Sequence, residues 1–270
     1  MTVALITGCS SGFGEVAALA LARAGVAVAA GCRDTRKAQA LAETARKEGL
    51  RLELVTIDVR DEASVKACVE EVHRKLGPID AVVNNAGLHL IAPAELSRIE
   101  DAAAVLDTNV LGALRVMQAV LPEMRARRSG RIVNVTSGAA FVAVPHMAMY
   151  AASKHALDAL SAAMATELSP FGVKIVIVAP GMFKTAIMDK GILPRETYGY
   201  SALAAEQCES HIQGVYDAPE PAPVGEAIVR AVLDPDPPLR TLVGEGVERP
   251  LAAVAAMHDS FQAWFAPKGE

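Results

Sequence analysis

The sequence predicts an α/β protein: a doubly wound parallel sheet of about seven strands with helices on both faces, in one domain spanning residues 1–270. Three observations predict it. Short apolar runs alternate with longer segments whose apolar residues recur at helical spacing, the pattern of strand–helix–strand units joined by right-handed crossovers. The first apolar run enters the first helix through a cluster of glycines. Hydrophobic residues make up 52% of the chain, enough to cover both faces of such a sheet.

The elements follow in order. Val3-Ala4-Leu5-Ile6 reads as the first strand, and Thr7-Gly8-Cys9-Ser10-Ser11-Gly12-Phe13-Gly14 leads into a helix through Val16, Leu19 and Ala20 that ends near Arg23 to Gly25. A strand that enters a helix through glycines can cradle phosphate, because backbone N–H groups and the helix N-terminus offer positive potential and the missing side chains permit close approach. The plainer reading is a tight turn that uses glycine for backbone freedom. Val26 to Ala30 is the second strand, ending at Gly31-Cys32-Arg33-Asp34. At this edge an acid accepts hydrogen bonds from a ribose 2′-hydroxyl, whereas arginine pairs a 2′-phosphate. Cys32 stands where an NAD-selecting acid is expected and Arg33 follows it, so NADP(H) is favoured and NAD(H) remains possible. Asp34, if turned toward the ribose, would favour NAD, and Ser11 adds no basic charge to the loop.

A helix over 35–48 and a strand over 52–56 precede Asp58-Val59, where a carboxylate could face an adenine amino group. A helix over 62–76 leads through Gly77-Pro78 to the strand Ala81-Val82-Val83 and the turn Asn84-Asn85-Ala86-Gly87. That turn either binds its neighbours and leaves room for a ligand, or is structural. The helix over 98–128 carries Asn109 on an apolar stripe, where an amide is expensive to bury unless it is paired or serves a site. Arg131 to Val135 is a strand ending in Thr136-Ser137-Gly138. Lys174 to Ala179 is another, closed by Pro180-Gly181-Met182-Phe183-Lys184-Thr185. Pro223 to Leu233 reads as a helix and Arg240 to Val243 as the last strand; Leu251, Val254, Phe261 and Trp264 share a helical face suited to packing.

Between these strands, residues 150–168 form a helix on which Tyr150 and Lys154 stand four apart and hence on one face. A free phenol has a pKa of about 10 and is a poor acid–base catalyst near neutrality. An ammonium at about 4 Å, in an effective dielectric of about 20, favours the phenolate by roughly 4 kcal/mol before screening. The pair can then exchange a proton with an alcohol. The plain alternative is an exposed Tyr–Lys pair of no consequence.

Composition narrows the partners. A formal charge of −5, from 26 basic and 31 acidic residues, argues against nucleic acid or an anionic membrane. Cys9, Cys32, Cys68 and Cys208 are scattered without metal spacing, which fits reduced thiols in the cytoplasm and no metal site. Val3 to Ile6 is too short for a secretory signal. Ile132 to Ser153 lacks charge but holds Asn134, Thr136, Ser137, Gly138 and Pro145, so it reads as strand, turn and helix start rather than a membrane span. A soluble protein is expected.

Taken together, Thr7-Gly8-x-x-x-Gly12-x-Gly14, Asn84-Asn85-Ala86-Gly87, Asn109, Ser137, Tyr150-x-x-x-Lys154 and Pro180-Gly181 with Thr185 resemble the short-chain dehydrogenase/reductase family, in its single-domain Rossmann-fold branch. The resemblance spans residues 3 to about 185; Phe13 replaces the more usual isoleucine of the glycine loop. It implies hydride transfer between a secondary alcohol and a ketone with NAD(P). It also implies that Tyr150 moves the proton, Ser137 bonds the same oxygen, Lys154 lowers the tyrosine pKa and holds the nicotinamide ribose, and Asn109 positions a relay water. Gly8, Ser10, Ser11, Gly12, Phe13, Gly14, Arg33, Asp58, Val59, Asn85, Ala86, Gly87, Tyr150, Lys154, Pro180, Gly181 and Thr185 are then the cofactor contacts.

By the same resemblance residues 182–216 form a substrate lid, where Phe183, Ile187, Met188, Ile192 and Leu193 mix with Gly191, Pro194 and Gly199. With Val144 and Met149 they suggest a hydrophobic substrate, or simply packing; His89 and His146 line the mouth or serve surface and core. Relatives pair the helices near 110–124 and 151–168, so a homodimer or homotetramer is expected, with Ala159, Ala162, Ala163 and Ala165 allowing close approach. The rival readings are a catalytically silent nucleotide-binding sensor or scaffold of the same fold, and a dehydratase or epimerase. Every chemical position holds the residue type that the redox chemistry needs, which favours the enzyme.

Overall fold

The computed structural model describes residues 1–185, 187, 202–244 and 253, 254, 256 and 257. Seven strands form one parallel sheet: β1 (Val3–Thr7), β2 (Ala27–Cys32), β3 (Leu52–Thr56), β4 (Ala81–Asn84), β5 (Gly130–Val135), β6 (Val173–Pro180) and β7 (Arg240–Val243). Their order is β3-β2-β1-β4-β5-β6-β7. Each strand pairs parallel to its neighbours, so every crossover must carry the chain back along a face of the sheet.

The helices are α1 (Gly12–Arg23), α2 (Gln39–Lys47), α3 (Glu62–Leu76), α4 (Ile99–Leu106), α5 (Gly112–Arg127), α6 (Ala148–Leu168), α7 (Ala202–Tyr216) and α8 (Ala222–Leu233). Alternation along the strands divides the core in two. Ala4, Ile6, Val28 and Ala30 join α1 and α8 in one apolar cluster. Val3, Leu5, Ala27 and Ala29 face the other way and join α3, α5 and the end of α6 in a second. On the first face α8 lies close against α1: a Cβ at Gly225 would stand 2.8 Å from Val16 Cγ1.

Three expectations shift. The helix expected over 98–128 is interrupted by a π-helical turn at Asp107–Leu111, which contains Asn109. The helix expected from residue 35 opens with a 3₁₀ turn, because the Asp34 carboxylate accepts the Arg36 N–H and caps a tighter start. Ala162 and Ala165 pack inward, Ala162 buried and Ala165 against the second core cluster, so only Ala159 and Ala163 of the four proposed alanines are exposed.

The stretch Ile99–Arg127 is long and apolar enough to cross a membrane by composition, but half of its apolar window is buried in the molecule, much of it in the second core cluster. The positions Met188, Gly191, Ile192, Leu193, Pro194, Gly199, Leu251, Phe261 and Trp264 lie outside the described residues. The described part of the expected 182–216 lid ends in α7, which the sequence reading had left without a helix.

Candidate active site

Strand order reverses between β1 and β4, and a cleft lies at the C-terminal ends of the strands there. Thr7 ties the loops leaving β1 and β4 together. Its Oγ1 accepts the N–H groups of Asn85, at 3.1 Å, and Ala86, at 3.0 Å. The Asn85 side chain completes the tie by donating to Thr7 O at 2.9 Å. The fit is too close for side chains: a Cβ at Gly8 would lie 2.9 Å from Ala86 Cα, and one at Gly14 2.5 Å from both Asn85 Nδ2 and Gly8 O. Gly8 and Gly12 also have φ of +78° and +64°, which glycine adopts without strain.

The result is a cleft of about 440 Å³ lined by Gly8, Ser10, Ser11, Gly12 and Phe13 at the start of α1, by Arg33, Asp58 and Val59 beyond β2 and β3, and by Asn85, Ala86 and Gly87 after β4. Tyr150, Lys154 and Thr185 line it at the other end. Gly14 does not line it but lets α1 pack behind it. Pro180 and Gly181 line the adjoining pocket instead. The glycine cradle, the helix N-terminus and the extended cleft suit a dinucleotide: pyrophosphate at the start of α1, adenosine past β2, and the reactive ring toward Tyr150.

At the adenosine end, Asp34 also lines the cleft past β2, but its carboxylate is engaged. Its carboxylate caps the turn at Arg36 N and pairs with the Arg36 guanidinium, at 2.9 and 3.0 Å, which holds its pKa below the usual carboxylate range. Asp58 is similarly held by Arg60. Arg33 and Lys37 also line the cleft, and neither makes an ion pair among the described residues. The sequence reading had not singled out Lys37 or Arg60; both emerge from the meeting of two loops after β2 and β3.

The candidate reacting groups gather on α6 and the loop after β5. Tyr150 is stacked into the interior at 8% exposure, and Lys154 is 5% exposed. The Lys154 ammonium donates to Val135 O at 2.9 Å and lies 5.8 Å from the centroid of the Tyr150 ring. Burial pushes its pKa down to about 8. Burial raises the Tyr150 pKa, and a hydrogen bond with Ser137 works against that rise. The expected depression of the phenol by Lys154 is therefore not the dominant effect: the ammonium is turned to Val135, and desolvation of a buried phenol wins.

Ser137 Oγ accepts the Ala139 N–H at 3.1 Å, which leaves its own proton to donate. Asn109, 1% exposed, is fully engaged. Its Oδ1 accepts Leu88 N–H at 2.7 Å, and its Nδ2 donates to Leu88 O and to Ser153 Oγ, each at 2.9 Å. The π-helical turn thus clamps the loop after β4 onto α6 one residue from Lys154, at the kind of irregularity that functional helices use.

A second pocket of about 350 Å³ opens beyond Tyr150, lined by Ser137, Val144, Met147, Met182, Phe183 and Val215 among others. Met149 is not among them; it packs with Leu90, Ala92 and Val105 on the other side of α6. His89 lines the pocket, stacked on Tyr150, whereas His146 lines neither pocket and has its Nε2 bonded to Gln207 of α7 at 2.9 Å. His211 and Val215 of α7 complete the wall. No local spacing in the sequence pointed to them. Among the described residues, no three His, Cys, Asp or Glu side chains group as a metal site.

The chain matches the short chain dehydrogenase family model over residues 2–193 and belongs to that family of oxidoreductases. It is 37% identical, over 88% of its length and 72% of the relative's, to mouse (Mus musculus) 17-beta-hydroxysteroid dehydrogenase type 1. Among solved structures it is similar to a gluconate 5-dehydrogenase from Burkholderia cenocepacia in complex with NADP and tartrate. That match has TM-score 0.76 and 31% identity, covering 92% of this chain and 95% of the other. It is also similar to a short chain dehydrogenase/reductase from Burkholderia phymatum in complex with NAD, with TM-score 0.81 and 25% identity, covering 100% and 97%.

Proposed function

We propose that the chain interconverts a secondary alcohol and a ketone with a nicotinamide dinucleotide, preferring NADP(H). The observation that carries this reading is the position of Tyr150, which lines both the glycine-loop cleft and the apolar pocket. A proton donor at that junction serves a reaction between a cofactor in one and a substrate in the other. When bound, the dinucleotide supplies or accepts the hydride.

The chain's own residues supply placement and protons. In reduction, the neutral Tyr150 O–H donates to the carbonyl oxygen. Ser137 O–H bonds the same oxygen and stabilises its growing charge. Lys154, its ammonium fixed by Val135 O, faces the cleft where the ribose would lie and favours the phenolate left behind. Asn109 acts as a positioning residue through Leu88 and Ser153; a water held near its turn would link Lys154 to solvent. Gly8 to Gly14, Asp58, Val59, Asn85, Ala86 and Gly87 shape the dinucleotide site, while Thr185, Pro180 and Gly181 border the reactive end. Of the expected 182–216 lid, the described Met182, Phe183, Thr185, Ile187, His211 and Val215 border the apolar pocket, which supports reading it as a lid within a single domain.

The NADP preference is supported by charge. Asp34 shares the cleft wall beyond β2 with Arg33 and Lys37, but its carboxylate is paired with Arg36, so the two cations face the cleft without it. A guanidinium can hold a 2′-phosphate in a planar fork.

Following NADPH absorbance with a panel of apolar ketones tests the reading. Wild-type protein is expected to oxidise NADPH, and Tyr150→Phe to lose about a thousandfold in rate while keeping fold and cofactor affinity, because the ring still packs without its proton. Near-wild-type reduction by that variant would overturn the mechanism. Tight NADPH binding without turnover of any ketone would instead make the chain a sensor.

A further inference from the structure

The pocket beyond Tyr150 contains two imidazoles that the proposed chemistry does not use. Among its described lining residues there is no carboxylate, ammonium or guanidinium; the polar groups are hydroxyls, His89 and His211. His89 is 3% exposed and its ring stacks on Tyr150, with centroids 4.1 Å apart and planes at 28°. His211, from α7, follows at 6.0 Å from His89, again at 28°. The three rings form a row running from the proton donor along the pocket.

His89 is held rigidly. It follows Leu88, whose N–H and C=O are both gripped by the Asn109 amide. Its Nδ1 is buried and has no hydrogen-bond partner. A neutral imidazole carries one N–H, and a buried lone pair is tolerated more often than a buried orphan N–H. The proton therefore belongs on Nε2, and Nε2 is the nitrogen that His89 can offer to a ligand. Burial keeps the ring neutral, with a pKa lowered to about 3, and burial also lowers that of His211. A fixed, neutral donor within a few ångströms of the phenol is suited to an acceptor oxygen close to the reacting carbon. It does not suit a carboxylate, which would find no countercharge among the described lining residues.

Resting on the oxidoreductase reading above, we infer that His89, backed by His211, recognises a second neutral oxygen of the substrate, a hydroxyl or carbonyl within a few bonds of the reacting carbon. The preferred substrates are then oxygenated ketones, and the wholly apolar ketone of the same size is discriminated against. A site built to bond such an oxygen rejects the analogue that lacks it, because the protein donor is left unpaired.

The test compares 2-hydroxyacetophenone with acetophenone. The ratio of their kcat/KM values is measured for wild type, His89→Phe and His211→Phe, so that intrinsic reactivity cancels between proteins. His89→Phe keeps an aromatic ring against Tyr150 and is expected to lower the ratio tenfold or more, with a smaller fall for His211→Phe. A ratio within twofold of wild type in His89→Phe would reduce His89 to packing and overturn the inference. A second measurement does not depend on turnover. In wild-type protein carrying ¹⁵N-labelled histidine and oxidised dinucleotide, 2-hydroxyacetophenone should shift the His89 imidazole resonances, and acetophenone should leave them in place. If neither ketone is reduced yet that selective shift appears, the recognition site stands and the redox reading falls; equal or absent shifts overturn the site itself.

Discussion

Lys154 carries a charge that the folded chain holds at a cost. Its pKa falls from 10.5 to about 8 through burial, so at neutral pH the ammonium is disfavoured by roughly 3 kcal/mol relative to the unfolded chain. Between about pH 8 and 10.5 the unfolded state binds more protons at this residue, so its contribution makes stability rise with pH across that window. Lys154→Met is expected to raise the melting temperature at pH 7 by several degrees while abolishing turnover. The gain should shrink as the melt is repeated toward pH 10. A lower melting temperature at pH 7 would mean that the bond to Val135 outweighs desolvation. Arg33 is the other residue whose charge is informative. With Asp34 bound to Arg36, Arg33→Ala should raise KM for NADPH by about ten- to a hundredfold, the scale of one charge-assisted contact, and KM for NADH far less. Equal changes for both cofactors, or a wild-type preference for NADH, would mean that Arg33 faces solvent.

Among the elements, α6 has the most to satisfy. Tyr150, Lys154 and Asp158 follow at intervals of four down one buried face. Asp158 meets Arg240 of β7 in a two-pronged pair at 3.1 and 2.7 Å, with side chains 4% and 3% exposed. Leaving one member of such a pair alone in the interior costs about 3–5 kcal/mol. Asp158→Asn should therefore lower the melting temperature by about 10 °C, and Asp158→Leu with Arg240→Met should recover most of the loss. Equal melting temperatures for Asp158→Asn and wild type would show the pair to be well solvated. The same helix explains what the sequence revealed. Tyr150 and Lys154 were legible because four residues on a helix suffice to bring them together. The sequence reading also recognised that Asn109 needed partners, but Leu88 and Ser153 lie 21 and 44 residues away, where periodicity gives no distances. Met149 was misplaced because neighbours on a helix point in different directions. His211 was missed because only the packing of α7 against the pocket brings it to His89.

For the molecule as a whole, the uncovered faces suggest how copies meet. Ala152, Ala156, Ala159 and Ala163 form an exposed stripe along α6, and Leu111, beside α5, is 45% exposed. Small residues permit close helix approach, so we expect α5 and α6 to pair with a second copy. Light scattering at micromolar concentration should give a dimer or tetramer; a monomer, or a dimer unaffected by Ala159→Glu, would contradict this arrangement. The parallel, doubly wound sheet was legible from the alternation of strands and helices, since parallel strands need crossovers, whereas the order of its strands was not. Nor was the meeting of α7 with the pocket, because nothing local specifies where a helix lands.

The Asp158–Arg240 pair has a consequence for the order in which the protein is made. Arg240 is 82 residues downstream of its partner, so the ribosome releases α6 long before the charge that completes it. Until β7 emerges, burying α6 would strand a lone carboxylate, and the nascent chain gains by keeping that helix loose. Docking of α6 is therefore favoured only once nearly all of the sheet has been synthesised. A truncated product ending before residue 240 would carry every proposed catalytic side chain and still be poorly able to hold them together.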